Sequence, residues 1–164
     1  MNPESNLIPR STPEAQGVAS SVILQYLDAL SAAQFNIHSL MLLRRSHVIA
    51  EGWWQPYAPE HKRYVYSLSK SFTSSAVGFA VTEGLLTVED KVISFFPDDL
   101  PEEVSENLAA MRVKDLLTMT TGHEEDTTLA LMAPGVTNWV KAILALPVQR
   151  EPGTLFVYNS GATY

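Results

Sequence analysis

Between Tyr64 and Gly84 the chain runs Tyr-Val-Tyr-Ser-Leu-Ser-Lys-Ser-Phe-Thr-Ser-Ser-Ala-Val-Gly-Phe-Ala-Val-Thr-Glu-Gly, and this stretch restricts the fold more than any other. Its spacing predicts a helix opened by Ser67, as N-cap or first-turn residue, and closed by Gly84. Leu68, Phe72, Ala76, Phe79 and Ala80 recur at helical intervals and predict a side that faces a core. Ser67, Lys70, Ser71 and Ser74 fall on another side, because residues three and four apart are neighbours on a helix. Ser69, Thr73, Ser75, Ala76 and Gly78 are small, which predicts a helix covered over most of its circumference.

Lys70 is the exception in that helix. A covered lysine must find partners or lose its proton, since burial disfavours the charged form. Ser67 lies one turn away on the same face, and a hydroxyl beside such an amine can become an oxygen nucleophile. The helix start adds backbone N–H groups and a positive dipole end where an oxyanion would form. The plainer reading is that Ser67 only caps the helix and Lys70 is solvated. A serine is followed by lysine at the third position about one time in fifteen by chance, so the pair alone does not decide.

The chain has 164 residues, of which 46% are hydrophobic and 18% charged, a composition suited to one globular domain or a large piece of one. A formal charge of −7 argues against non-specific binding to nucleic acid or anionic membrane. The absence of cysteine excludes disulfides, thiolate catalysis and cysteine metal sites. Met1 to Asn6 lacks a basic stretch followed by an apolar run, and no transmembrane helix is predicted; a cytoplasmic location is the expectation.

Residues 1–19, rich in Pro, Ser, Asn and Gly, read as irregular. Ser20-Ser21 are expected to cap a helix carrying Val22, Ile23, Tyr26, Leu27 and Leu30 at helical spacing. Ser39 to Leu43 and Val48 to Trp53 read as strands about a turn at Arg44 to His47, giving a hairpin against that helix. A two-stranded hairpin is marginal alone and its edges carry unpaired backbone groups. The sheet is therefore expected to be completed by residues not in this sequence or by another copy of the chain, through its exposed edge. Later segments read as short helices at Val113–Met119 and Val136–Leu146, a helical turn at Thr128–Met132, and a turn at Pro152-Gly153.

Three of these stretches, taken in order, resemble the serine β-lactamase and penicillin-binding-protein superfamily, especially its class C-like branch of β-lactamases, esterases and amide hydrolases. Ser67-Leu68-Ser69-Lys70 looks like that family's Ser-x-x-Lys. Met111 to Gly122, ending Leu-Leu-Thr-Met-Thr-Thr-Gly, is similar to a segment recurrent in the branch. Pro152-Gly153-Thr154, followed by Phe156 and Tyr158, looks like the run into its Tyr-x-Asn motif. The likeness extends from about Ser11 to the end of the sequence.

The resemblance implies an α+β fold with a helical region beside an antiparallel sheet that is incomplete here. It implies the N-terminal portion of such a domain over residues 1–164: a helix and hairpin at about 20–63 and a mainly helical, motif-bearing part at about 64–164. Ser67 would be the acylated nucleophile, Lys70 would share or relay its proton, and Tyr158 would act as base or proton shuttle. The backbone N–H of Ser67 would supply half of an oxyanion hole. Ser160 stands where Tyr-x-Asn expects asparagine, as a supporting or substrate-binding group. That departure favours an esterase or amide hydrolase over a true β-lactamase. The implied substrate is a small ester or amide, with no metal, no organic cofactor, no nucleic acid and no membrane. The family's third motif, Lys-Thr-Gly-like, does not occur in this sequence; a chain truncated after Tyr164, or a catalytically incomplete scaffold, is the alternative.

Other candidates rank lower. His123-Glu124-Glu125-Asp126 lacks His-Glu-x-x-His because position 127 is Thr127, and reads as a solvated acidic loop rather than a metal site. His38, His47 and His61 are isolated, and no Gly-x-Ser-x-Gly elbow or phosphate loop occurs. Trp53, Trp54 and Tyr57 read as packing residues before they read as a substrate mouth. Ser69 would need a lysine at 72, where Phe72 stands.

Overall fold

The computed structural model describes residues 8–163. The chain divides into two compact units between Tyr64 and Val65.

In the first unit, α1 (Ser20–Ala32) precedes a hairpin of β1 (Ser39–Arg44) and β2 (His47–Trp53). The strands are antiparallel, with Ser39 opposite Trp53, a register shift between Leu42 and Leu43, and Arg44 opposite His47. Arg45 and Ser46 form the tight turn with φ of 48° and 61°, the left-handed pair that suits the twist of two strands. Ser20-Ser21 do not cap α1. The N-cap is Ala19, and the Glu14 carboxylate reaches across to accept from the Ser20 N–H at 2.8 Å and its hydroxyl at 2.5 Å. A carboxylate at a helix start also meets the positive dipole end.

Of the apolar residues of α1, only Ile23 is buried, together with Val48 and Ile49 of β2. The leading segment is not wholly irregular. Pro9 accepts from the Val48 N–H and Ser11 donates to the Val48 carbonyl, a parallel bridge that covers part of the outer edge of β2. Arg10 and Glu51 pair across it. Tyr57 is held between the His38 ring, 4.0 Å away, and the Arg63 guanidinium, 4.0 Å above its face.

The second unit contains α2 (Ser69–Thr82), α3 (Glu106–Ala110), α4 (Val113–Leu117), α5 (Thr128–Leu131) and α6 (Trp139–Leu144), with short 3-10 turns between. Its core is Val92, Leu108, Met111, Leu144 and Val148, with Phe96, Leu116 and Ile143 packed around it. Burying each such side chain contributes about 1.5–3 kcal/mol. Caps set the short helices: Ser105 accepts from the Leu108 N–H, and Asn138 from the Lys141 N–H. At Arg112 the Asp115 carboxylate reaches back to the backbone N–H at 2.8 Å.

The expected core-facing side of α2 is not buried. Phe72 and Phe79 are 68% and 70% exposed, and no residue of the helix is buried. The side turned inward carries Lys70, Thr73, Ser74 and Val77, which line a cleft with Phe96, Leu116 and Met119. At about 100° per residue, Phe72 and Phe79 sit about 200° and 180° around the axis from Lys70. A helix that turns Lys70 toward the rest of its unit must therefore turn both phenylalanines away. Hydrophobic spacing finds the apolar stripe but does not say which stripe is used.

Gly122 connects this core to the site. Its φ is +90°, and a Cβ there would lie 2.2 Å from the Arg150 carbonyl oxygen and 2.8 Å from the Val148 side chain. Gly122→Ala is expected to destabilise the protein by roughly 3 kcal/mol, combining a left-handed backbone with a clash against main chain. Chemical denaturation checks this, with an unchanged midpoint as the contrary result.

Candidate active site

The site is built where α2 begins. Residues Tyr66–Leu68 form a 3-10 turn, and Tyr66 takes φ of 45°, a conformation that non-glycine residues rarely adopt. Ser67 does not cap the helix, and the N-cap position, Leu68, has no side-chain bond. The hydroxyl that tightens this turn belongs to Ser69, which donates to the Tyr66 carbonyl at 2.6 Å. The Ser67 hydroxyl is thus left to face other side chains. The far end of α2 closes as expected: Gly84, at φ 71°, donates to Val81, and Leu85 donates to Ala80, a Schellman pair.

The opposing wall is the loop from Arg150 to Ser160. It hangs on three carbonyls of the Met119–Gly122 turn: Gly122 accepts from Arg150 at 2.9 Å, Thr120 from Gly153 at 2.7 Å, and Met119 from Val157 at 3.1 Å. Met119 itself has φ of 55°. This gives a physical reason for the Leu-Leu-Thr-Met-Thr-Thr-Gly segment, which docks the chain leading into Tyr158.

These two walls bring all four expected residues together. Ser67 Oγ lies 2.6 Å from the Tyr158 hydroxyl. Lys70 Nζ donates to Ser67 Oγ and to Ser160 Oγ, each at 3.2 Å. The same ammonium lies 5.1 Å from the centre of the Tyr158 ring. Ser67 is exposed, Lys70 and Ser160 are half-buried, and Tyr158 is 51% exposed. The Tyr158 phenol is held below its usual range, first by the hydrogen bond with Ser67 and second by the Lys70 ammonium; the Asp126 charge opposes this weakly. The arrangement can take a proton from the serine hydroxyl.

A family model described as Beta-lactamase matches residues 24–163. The chain belongs to the Beta-lactamase family. Its fold is α+β, helices with a small antiparallel two-stranded sheet. Among solved structures it is similar to a "Putative 6-aminohexanoate-dimer hydrolase from Bacillus anthracis", with a TM-score of 0.66 at 14% identity. That alignment covers 84% of this chain and 39% of the other, so the chain spans well under half the length of that protein. No curated protein matches it.

Sequence spacing missed the residues that hold the second wall. Asn159 is fully buried, and its Oδ1 accepts from the Thr127 N–H at 3.1 Å, the Thr127 hydroxyl at 2.8 Å and the Ala162 N–H at 3.2 Å. Asp126 Oδ1 accepts from the Ser160 N–H at 3.1 Å and from the backbone and hydroxyl of Thr128. Burial pushes the Asp126 carboxyl up, but the donors from Thr128, Ser160 and Gly161 outweigh it and hold the group below its usual value. The 123–126 stretch is therefore not simply a solvated acidic loop. His123 is buried and Asp126 is bonded to the site, while Glu124 pairs with Arg150 at the surface. Among the described residues no group of three His, Cys, Asp or Glu could hold a metal, and no helix is long and apolar enough to cross a membrane.

Asp126→Asn is expected to lower turnover about tenfold by loosening Ser160, within the cost range of small misplacements. Because the lost charge opposes Tyr158 ionisation, the same variant should move the alkaline limb of the pH–rate profile to lower pH. An unshifted limb would contradict this.

Proposed function

We propose that this chain carries the nucleophile and base of a serine hydrolase that cleaves a small carboxylic ester or amide through an acyl-enzyme. The observation that carries the reading is the Ser67 hydroxyl in contact with both the Tyr158 phenol at 2.6 Å and the Lys70 amine at 3.2 Å. Tyr158, ionised, accepts the Ser67 proton while Oγ bonds to the substrate carbonyl carbon, and the carbonyl π pair moves onto oxygen. In this reading the Ser67 N–H and the start of α2 supply the donor and the positive dipole end that stabilise that oxyanion. Collapse breaks the carbon–oxygen or carbon–nitrogen bond, and the leaving group departs with the proton from Tyr158. Water then repeats the sequence, giving up a proton to Tyr158 and releasing the acid and Ser67. Lys70 holds the site together through its hydrogen bonds to Ser67 and Ser160 and stands beside the oxygen whose proton moves.

Ser160 supports an esterase or amide hydrolase over a β-lactamase. Lys70 donates to a hydroxyl at that position rather than to an amide. The neighbouring Asn159 cannot replace it, because its carbonyl is committed to Thr127 and Ala162. Mixing the protein with p-nitrophenyl butyrate should give a burst of nitrophenolate equal to the enzyme, then turnover faster than on a chromogenic cephalosporin. Absence of both burst and turnover on esters and amides would overturn the reading. A burst without turnover supports a second one: a chain that holds the nucleophile but lacks the Lys-Thr-Gly-like motif, which does not occur in this sequence.

A further inference from the structure

The core of the second unit is not filled. A cavity of about 110 Å³ lies between α4, α5 and α6, walled by Leu108, Met111, Leu131, Trp139, Ile143 and His123. None of Ser67, Lys70, Tyr158 or Ser160 lines it, so it is a feature separate from the catalytic reading. Its walls are almost wholly apolar, and His123 and Trp139 are the lining side chains that carry nitrogen. That imidazole is 4% exposed, and burial holds its pKa below the usual histidine value, so the ring is neutral near pH 7. Nδ1 lies 2.8 Å from the Thr121 hydroxyl. Nε2 is buried and has no partner.

Apolar cavities only somewhat larger, roughly 150 Å³, stay dry and take up a single aromatic ring. The unpartnered ring nitrogen adds a polar requirement to that shape. It donates in one neutral tautomer and accepts in the other, and a hydroxyl can answer either. A charged ligand would lose its hydration with no counter-charge in the walls. We infer that this cavity is a binding site for a small neutral aromatic alcohol of the phenol class, its ring among the aliphatic side chains and its hydroxyl on His123 Nε2.

The experiment titrates the protein with phenol and, separately, with benzene, following the His123 ring signals by nuclear magnetic resonance. Phenol is expected to bind about tenfold more tightly than benzene, in line with one hydrogen bond to an otherwise unpaired buried group. The His123 ring signals should move with phenol and not with benzene. His123→Leu should abolish the difference between the two. Val140→Phe fills the cavity from α6 and should abolish binding of both, and its own melting curve shows whether it is folded. No binding of phenol at millimolar concentration, equal affinity for both probes, or phenol binding retained in folded Val140→Phe would each overturn the assignment.

Discussion

Replacing Lys70 by methionine is expected to slow acylation of Ser67 by about 10²–10⁴-fold, the usual worth of a positioned proton-transfer group. The amine donates to both Ser67 and Ser160 at 3.2 Å and sits over the Tyr158 ring, so one substitution removes a charge from three contacts. Methionine keeps the length of the side chain and its packing beside Thr73, Ser74 and Val77. The loss should therefore appear in the rate and not in the melting temperature. Pre-steady-state release of nitrophenolate gives the rate. A variant within about threefold of the parent would show that the amine takes no part in moving the proton, since even weak general catalysis exceeds that.

Tyr158→Phe carries the second large effect, again about 10²–10⁴-fold. Its signature is in the pH dependence. Rate should rise with pH as the phenol ionises, and because the hydrogen bonds with Ser67 and Lys70 hold its pKa down, the limb should lie below the ordinary tyrosine value of 10.0. Phenylalanine should abolish the limb. Lys70→Met, which removes the second of those causes, should move it upward. Asp126→Asn should move it downward, so the two variants shift one limb in opposite directions. A rate independent of pH up to the tyrosine range in the parent would contradict the assignment of Tyr158 as base.

Local signals carried most of what the sequence could show. The hairpin was legible because Leu40, Leu42, Val48 and Ile49 lie in short apolar runs about a four-residue turn. The lysine–serine contact was legible because three residues make almost one helical turn. Tyr158 and Ser160 were legible only through the resemblance, since a contact across 91 positions has no local signature. What spacing could not give is orientation. The stripe of Phe72 and Phe79 has the period of a core face, yet the unit packs on the opposite, small-residue side, because Lys70 has its partners there.

Caps were misread for a similar reason. Ser67 and Ser20 have the chemistry of N-caps, but Ser67 bonds to a phenol from a distant loop and Ser20 donates to Glu14. Asp126, Thr127 and Asn159 were missed because acidic and amide residues in loops are common and their partners lie more than thirty positions away. Three donors converging on the single oxygen of Asn159 are a tertiary fact. The one available signal was that Asn159 adjoins the tyrosine of a motif.

The direct test of the account is covalent. Treat the protein with a fluorophosphonate probe, digest it, and locate the modified peptide by mass spectrometry. The account predicts one adduct, on Ser67, absent from Ser67→Ala and strongly slowed in Lys70→Met. Modification at another serine, or equal labelling of Ser67→Ala, would contradict it.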